Sequence, residues 1–315
     1  MGRMMEYRGL LGPFVVLLLF AAAVLWSPFE PHRPPVDTFA GAEEHVGWLD
    51  EDWQIFEAKV QWALEVGTDT LPVGAAMAEI GRSFVGTAYV PRTLEVEGPE
   101  RVVVNFRGLD CVTFVENVFA LSRFVRSGAG RSLTDRPAAE AHYQKLLEEI
   151  RYRDGQLDGY QSRLHYFSDW IANNASRMLI RDLGAELEGI HNLDRIDFMT
   201  THVDSYSQLA NFENLEALRE TEERLSAAGR LFVPEARIPA VADHLEDGDI
   251  IAATSVVEGL DVAHTGLALW VEGTLRLMHA PLVGDSVQIS EVTLAERIQR
   301  IEGQDGIIVA RPLDR

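Results

Sequence analysis

Residues 53–66, WQIFEAKVQWALEV, place apolar side chains at helical spacing through Ile55, Val60, Ala63 and Leu64. The same period predicts a helix from near Pro72 to Gly86 and another that begins at Cys111. In that third helix Phe114, Val118, Leu121 and Val125 share one face, and Gly128 closes it. Residues 138–152 and 211–229 predict two more, the second with acids opposite an apolar stripe. The last third changes period. GDIIAATSV, HTGLALWV, TLRLMHAPL and DGIIVARPL are short and strand-like, separated by turn residues. Helices first and strands later predict an α+β domain with an antiparallel sheet.

The chain start follows neither period. Arg3 and Arg8 precede an uncharged apolar run from about Leu10 to Trp26. That layout predicts a secretory signal over residues 1–27, with an uncleaved membrane anchor as the alternative. Both readings put the rest of the chain outside the cytoplasm, in the periplasm or cell envelope. No cysteine follows the run, so a lipid anchor there is excluded. The proline-rich stretch 28–37 reads as a stiff linker. With no later linker and no repeat, residues 38–315 read as one domain.

Charge and cysteine count narrow the chemistry. Among 315 residues, 28 are basic and 49 acidic, a net charge of −21. An acidic chain argues against nucleic-acid binding, which needs a basic surface. The single cysteine, Cys111, excludes an internal disulfide. Asp110 before it is a good N-cap residue, so Cys111 is expected at a helix N-terminus. Partial positive charge and free N–H groups there favour a thiolate and could hold an oxyanion. A buried, inert thiol is the bland alternative.

A thiol nucleophile needs a base held by a third group. If Glu272 and Gly273 form the turn between two strands, Val271 pairs with Thr274. His264 and His279 then share one sheet face as diagonal neighbours, about 7–8 Å apart at the backbone. A slip of one residue would put them on opposite faces. Metal-ligand spacing such as H-E-x-x-H is absent, so no metal or other cofactor is expected.

The segments DCVTFVE, HTGLALW and MHAP resemble the NlpC/P60 superfamily of cell-wall cysteine hydrolases. More closely, six collinear segments between about 84 and 281 are similar to the DUF1460 family, described as N-acetylmuramoyl-L-alanine amidase-like. The resemblance implies a papain-type domain with the nucleophile's helix packed on the sheet. It implies Cys111 as nucleophile, His264 as general base and His279 as the orienting third residue. Tyr89 falls where the superfamily keeps a tyrosine beside the nucleophile. Pro91 and Arg92 depart from the smaller residues expected at the pocket rim. Tyr89 and Asp110, with Arg163, His165, Tyr166 and Asp169 of RLHYFSDWI, are the expected substrate-binding residues; Asp197, His202 and Tyr206 of RIDFMTTHVDSY are weaker candidates. The implied activity is hydrolysis of the bond between N-acetylmuramic acid and L-alanine in peptidoglycan fragments. The rivals are a D-glutamyl–diaminopimelate endopeptidase, a muropeptide-binding protein with a decayed site, and a lipid acyltransferase.

Overall fold

Helical periodicity gives way to alternation at the same points in the fold as in the sequence. The computed structural model describes residues 48–131 and 133–314, so the predicted signal or anchor and the proline-rich linker lie outside the described residues. Five helices come first: α1 (Asp50–Glu65), α2 (Val73–Arg82), α3 (Cys111–Arg126), α4 (Arg136–Arg151) and α5 (Phe167–Ser176). Single-turn α6 (Phe198–Thr201) and long α7 (Phe212–Ala228) follow, then short α8 (Ile238–Val241) and α9 (Leu294–Gln299). None of the described helices is long and apolar enough to cross a membrane.

The strands are β1 (Ala88–Tyr89), β2 (Gly108–Leu109), β3 (Ile180–Asp182), β4 (Ile190–Asn192), β5 (Arg230–Pro234), β6 (Ile250–Ser255), β7 (Val262–Val271), β8 (Thr274–His279), β9 (Gln288–Ile289) and β10 (Gln304–Pro312). β1 and β2 form a small parallel pair. The others form one sheet in the order β4-β5-β10-β6-β7-β8-β9, with β3 also on β10. Every pairing within it is antiparallel. The fold class is α+β.

Both faces of this sheet are covered, which explains the nearly unbroken apolar runs of its central strands. Ile250, Ala252, Leu267, Leu269, Met278, Ile308 and Ala310 join the core built on α1 to α5. Their strand neighbours Ile251, Ala253, Ala268, Leu277, Ile307 and Val309 join a second core with Ile238, Val241, Leu294 and Ile298. α3 lies in the first core, with Phe114, Val118, Leu121 and Val125 fully buried.

α7 departs from the simple amphipathic expectation. Its buried face includes Glu222, which accepts a hydrogen bond from the Tyr166 hydroxyl at 2.6 Å and one from Thr200 N–H at 3.1 Å. An acid on the inner stripe is stable there because its oxygens are satisfied.

The turn between β7 and β8 sets the register. Glu272 and Gly273 have φ of 50° and 76°, the left-handed backbone of a tight two-residue hairpin turn. Val271 pairs with Thr274 and Leu267 with Met278. This count keeps His264 and His279 on one face.

Candidate active site

The segment leading to Cys111 is fixed by local bonds before it reaches the sheet. The fully buried carboxylate of Asp52 accepts from Phe106 N–H at 2.8 Å and pairs with Arg107 at 3.1 Å. Asn105 Oδ1 accepts from the N–H groups of Arg107 and Gly108. β2 then lies against β1, with Tyr89 opposite Leu109. A side chain at Gly108 would meet Val90 at 2.3 Å, so only glycine lets this pair close.

Asp110 caps α3. Its carboxylate accepts from Thr113 N–H at 2.8 Å, and its own N–H donates to Thr113 Oγ1 at 2.9 Å. This reciprocal box starts the helix at Cys111. The residue as a whole is half-buried. It lies against Thr265 of β7, whose N–H and hydroxyl both favour the thiolate, as does the N–H of Val112. Burial and the Asp110 charge outweigh them and push the thiol up to about 11. The expected thiolate is therefore not the resting form: desolvation beats the helix N-terminus. Tyr89 stands beside the same two residues, and burial with the charges of Cys111 and Asp110 holds its hydroxyl above the usual tyrosine range.

One residue before Thr265 is His264. Its Nε2 lies 2.6 Å from Nδ1 of His279, with the rings nearly perpendicular at 84°. One proton is shared across that contact. Burial and the charge of Arg297 lower His264 to about 3. Burial, His264 and Arg297 lower His279 to about 2. Both rings are neutral at rest. The ladder between β6 and β7 is interrupted here: Ala253 stands opposite His264, but Thr254 stands opposite Val262. The extra residue, Ala263, makes a bulge, a device that re-aims side chains beside sites. Among the described residues no hydrogen bond joins the thiol to either imidazole. The thiol and Tyr89 thus stand at Thr265 of β7, and the histidine pair begins one residue earlier on the same strand.

The profile of a family described as N-acetylmuramoyl-L-alanine amidase-like matches residues 79–307, which hold all four groups. The chain belongs to this amidase-like family. A solved N-acetylmuramoyl-L-alanine amidase from Bacteroides uniformis is 35% identical, with a TM-score of 0.70. The match covers 77% of this chain and 99% of that one. A second structure of that name from the same strain gives 36% and 0.69, over 77% and 99%. A Legionella pneumophila protein of the DUF1460 family shares the fold at a TM-score of 0.61 and 19% identity, over 84% and 96%. No curated protein matches the chain.

In the amidase-like chain, the other expected binding residues have framework positions. Asp110 spends its carboxylate on the cap just described. Arg163 is buried, pairs with Glu95, lies 3.6 Å from Glu100 and donates to Leu94 O at 2.8 Å. It ties the 94–100 loop to the body instead of offering a free guanidinium. His165 bonds through Nε2 to Tyr160 O at 2.8 Å, and burial with the Arg163 charge lowers it to about 3. The buried Tyr166 hydroxyl donates to Glu222 and accepts from Met199 N–H at 2.9 Å. Asp169 is buried between Arg153 and Arg224. The aromatic and charged types that suggested a cleft are spent on holding loops together.

The weaker candidates share that pattern. Asp197 pairs with Arg195 at 2.7 Å, and His202 Nδ1 bonds to Phe198 O at 2.7 Å. Arg92 has φ of 61° and donates to Ser205 O, joining the rim after Tyr89 to the segment holding Tyr206. Two residues escaped the sequence reading. Thr265 sits inside the HTG motif and could have been read as the thiol's neighbour. Arg297 belongs to no motif, and only the packing of α9 brings its charge to the histidines.

Proposed function

We propose that this protein is an exported cysteine amidase of NlpC/P60 type that cleaves the N-acetylmuramoyl-L-alanine bond of peptidoglycan fragments. The observation that carries the reading is the 2.6 Å His264–His279 contact one residue from the strand position touching Cys111. A neutral thiol beside neutral imidazoles suits general-base attack. His264 takes the thiol proton through Nδ1 as Sγ adds to the amide carbonyl. Its Nε2–H stays bonded to Nδ1 of His279, which fixes the tautomer and spreads the imidazolium charge. The N–H groups at the start of α3 donate hydrogen bonds to the developing oxyanion. Collapse breaks the C–N bond, and His264 returns the proton to the departing alanine nitrogen. Water, deprotonated by His264, then cleaves the muramoyl thioester and frees Cys111.

The test is incubation of the protein with intact anhydro-muropeptide and identification of products by mass spectrometry, beside Cys111→Ala. Free sugar and an intact stem peptide, lost in the variant, are expected. Stem fragments ending at D-glutamate would move the cut to the endopeptidase position. No product from either protein would overturn the amidase reading.

A further inference from the structure

Of the 28 basic residues only Lys59 and Lys145 are lysines. The two stand in opposite surroundings. Lys145 is half exposed, and its ammonium pairs with Glu148 at 3.1 Å. Lys59 is half-buried on α1 and lines a cavity of about 620 Å³ between α1 and the end of α2. Ile55, Ala58 and Trp62 supply the apolar wall of that cavity. Its other charged members, Glu79 and Arg82, pair with each other at 3.6 Å. Lys59 precedes residues 79–307 that match the family, and it belongs to no part of the site described above.

The amine is closely held. Nζ donates to Ser83 O at 2.7 Å and to Ser83 Oγ at 3.2 Å. That hydroxyl donates its own proton to Ile80 O at 2.6 Å, so its oxygen is left to accept from the lysine. Nζ also lies 3.9 Å from the centre of the buried Phe84 ring. An ammonium has three hydrogens and a neutral amine two, and Ser83 offers two acceptors. Loss of one proton therefore costs neither hydrogen bond and leaves a lone pair. The face of Phe84 favours the charged form. Burial opposes it and lowers Lys59 to about 8. A desolvated lysine of this kind is a nucleophile toward carbonyl carbon.

We infer that Lys59 is a covalent site for aldehydes with an apolar chain, held as an imine while the chain lies against Ile55, Ala58 and Trp62. The amine nitrogen adds to the aldehyde carbon, and the carbonyl oxygen becomes a hydroxyl. Loss of water, made of that oxygen and the two amine hydrogens, leaves the C=N bond. No oxidant or reductant is consumed. The imine takes up a proton and keeps a donor for Ser83 O. Nothing in this inference depends on the amidase reading.

Hexanal is the probe, with cyanoborohydride to fix the imine as a secondary amine. The full chain is treated at neutral pH, and the alkylated lysine is located by peptide mass mapping. Lys145 is the internal control. Lys59 should be alkylated about tenfold faster than Lys145. Its lead should shrink with glycolaldehyde, which has no chain to lay on the wall. Trp62→Ala should slow hexanal at Lys59 severalfold and leave Lys145 unchanged. Equal or faster labelling of Lys145 would overturn the inference, as would an equal lead with both aldehydes. Those two comparisons use the unaltered protein and stand if the Trp62 variant fails to fold. Failure of the muropeptide test would leave all of these rates untouched, so the two readings fail separately.

Discussion

Two regions of this molecule are rich in the side chains that do chemistry, and they use them in opposite ways. Around Tyr160 to Asp169, the charged and polar groups of Arg163, His165, Tyr166 and Asp169 are all engaged within the protein. Around Cys111 and the start of β7, no hydrogen bond among the described residues joins the thiol to an imidazole, and His279 Nε2 is buried without a hydrogen-bond partner. Histidine, tyrosine and aspartate occur in both. For the charged groups and imidazoles, the difference is whether folding has already used the bonding capacity. A framework spends it and gains rigidity; the proposed reactive site withholds it for a substrate.

The sharpest way to break this contrast is to remove its reactive members. Cys111→Ala and His264→Ala should each lower amide hydrolysis by about a thousandfold or more while the unfolding midpoint stays near wild type. Equal activity in either variant would dissolve the distinction. The reverse experiment targets the framework. Asp169→Ala removes the buried carboxylate that holds two partly exposed arginines and should cost about 1–3 kcal/mol of stability in denaturant titration. Turnover per folded molecule should hold; a selective loss of kcat would move Asp169 into the site.

Acidification probes both regions together. His264, His279 and His165 are all lowered on folding, so between the folded values and about 6.5 the unfolded chain binds more protons. Stability should therefore rise with pH across that window and be lost as pH falls from about 6.5 toward 3. His165→Gln should reduce the slope by about one proton, and an unchanged slope would show that His165 is already charged in the folded state. The smallest effect is on the resting thiol. Its alkylation by iodoacetamide should climb about tenfold per pH unit toward 11, as expected where only the thiolate reacts. A plateau near neutral pH would instead reveal a resting thiolate–imidazolium pair.

The parts legible in the sequence are those governed by near neighbours. The start of α3 follows from Asp110 and Thr113, three residues apart, and the helical stripes follow from spacing alone. The shared face of His264 and His279 follows from a two-residue turn. β3, β4 and β9 were not legible, because two or three residues show no period. Glu222 escaped because an acid enters an apolar stripe only when distant groups bond it. The segment around Arg163 suggested a cleft because sequence shows which groups are present, and only the fold shows which are already bonded. Arg297 escaped because only the packing of α9 brings its charge toward the histidines, and no local spacing encodes that.

The place of β10 in the sheet has a consequence for how the protein is made. It is the last strand in chain order, yet it lies between β5 and β6 and also carries β3. β6 in turn supports β7 and β8, which bear both histidines. While the chain emerges from the ribosome, β6 has one open edge along six residues that are all buried in the finished fold. Assembly of the histidine pair on a settled sheet therefore waits for residues 304–312, and nascent protein cannot mature piecemeal from its amino end. A stop codon just upstream of Gln304 would not trim a tail. It would leave an adhesive seam through the middle of the molecule, and aggregation would follow before any chemistry could.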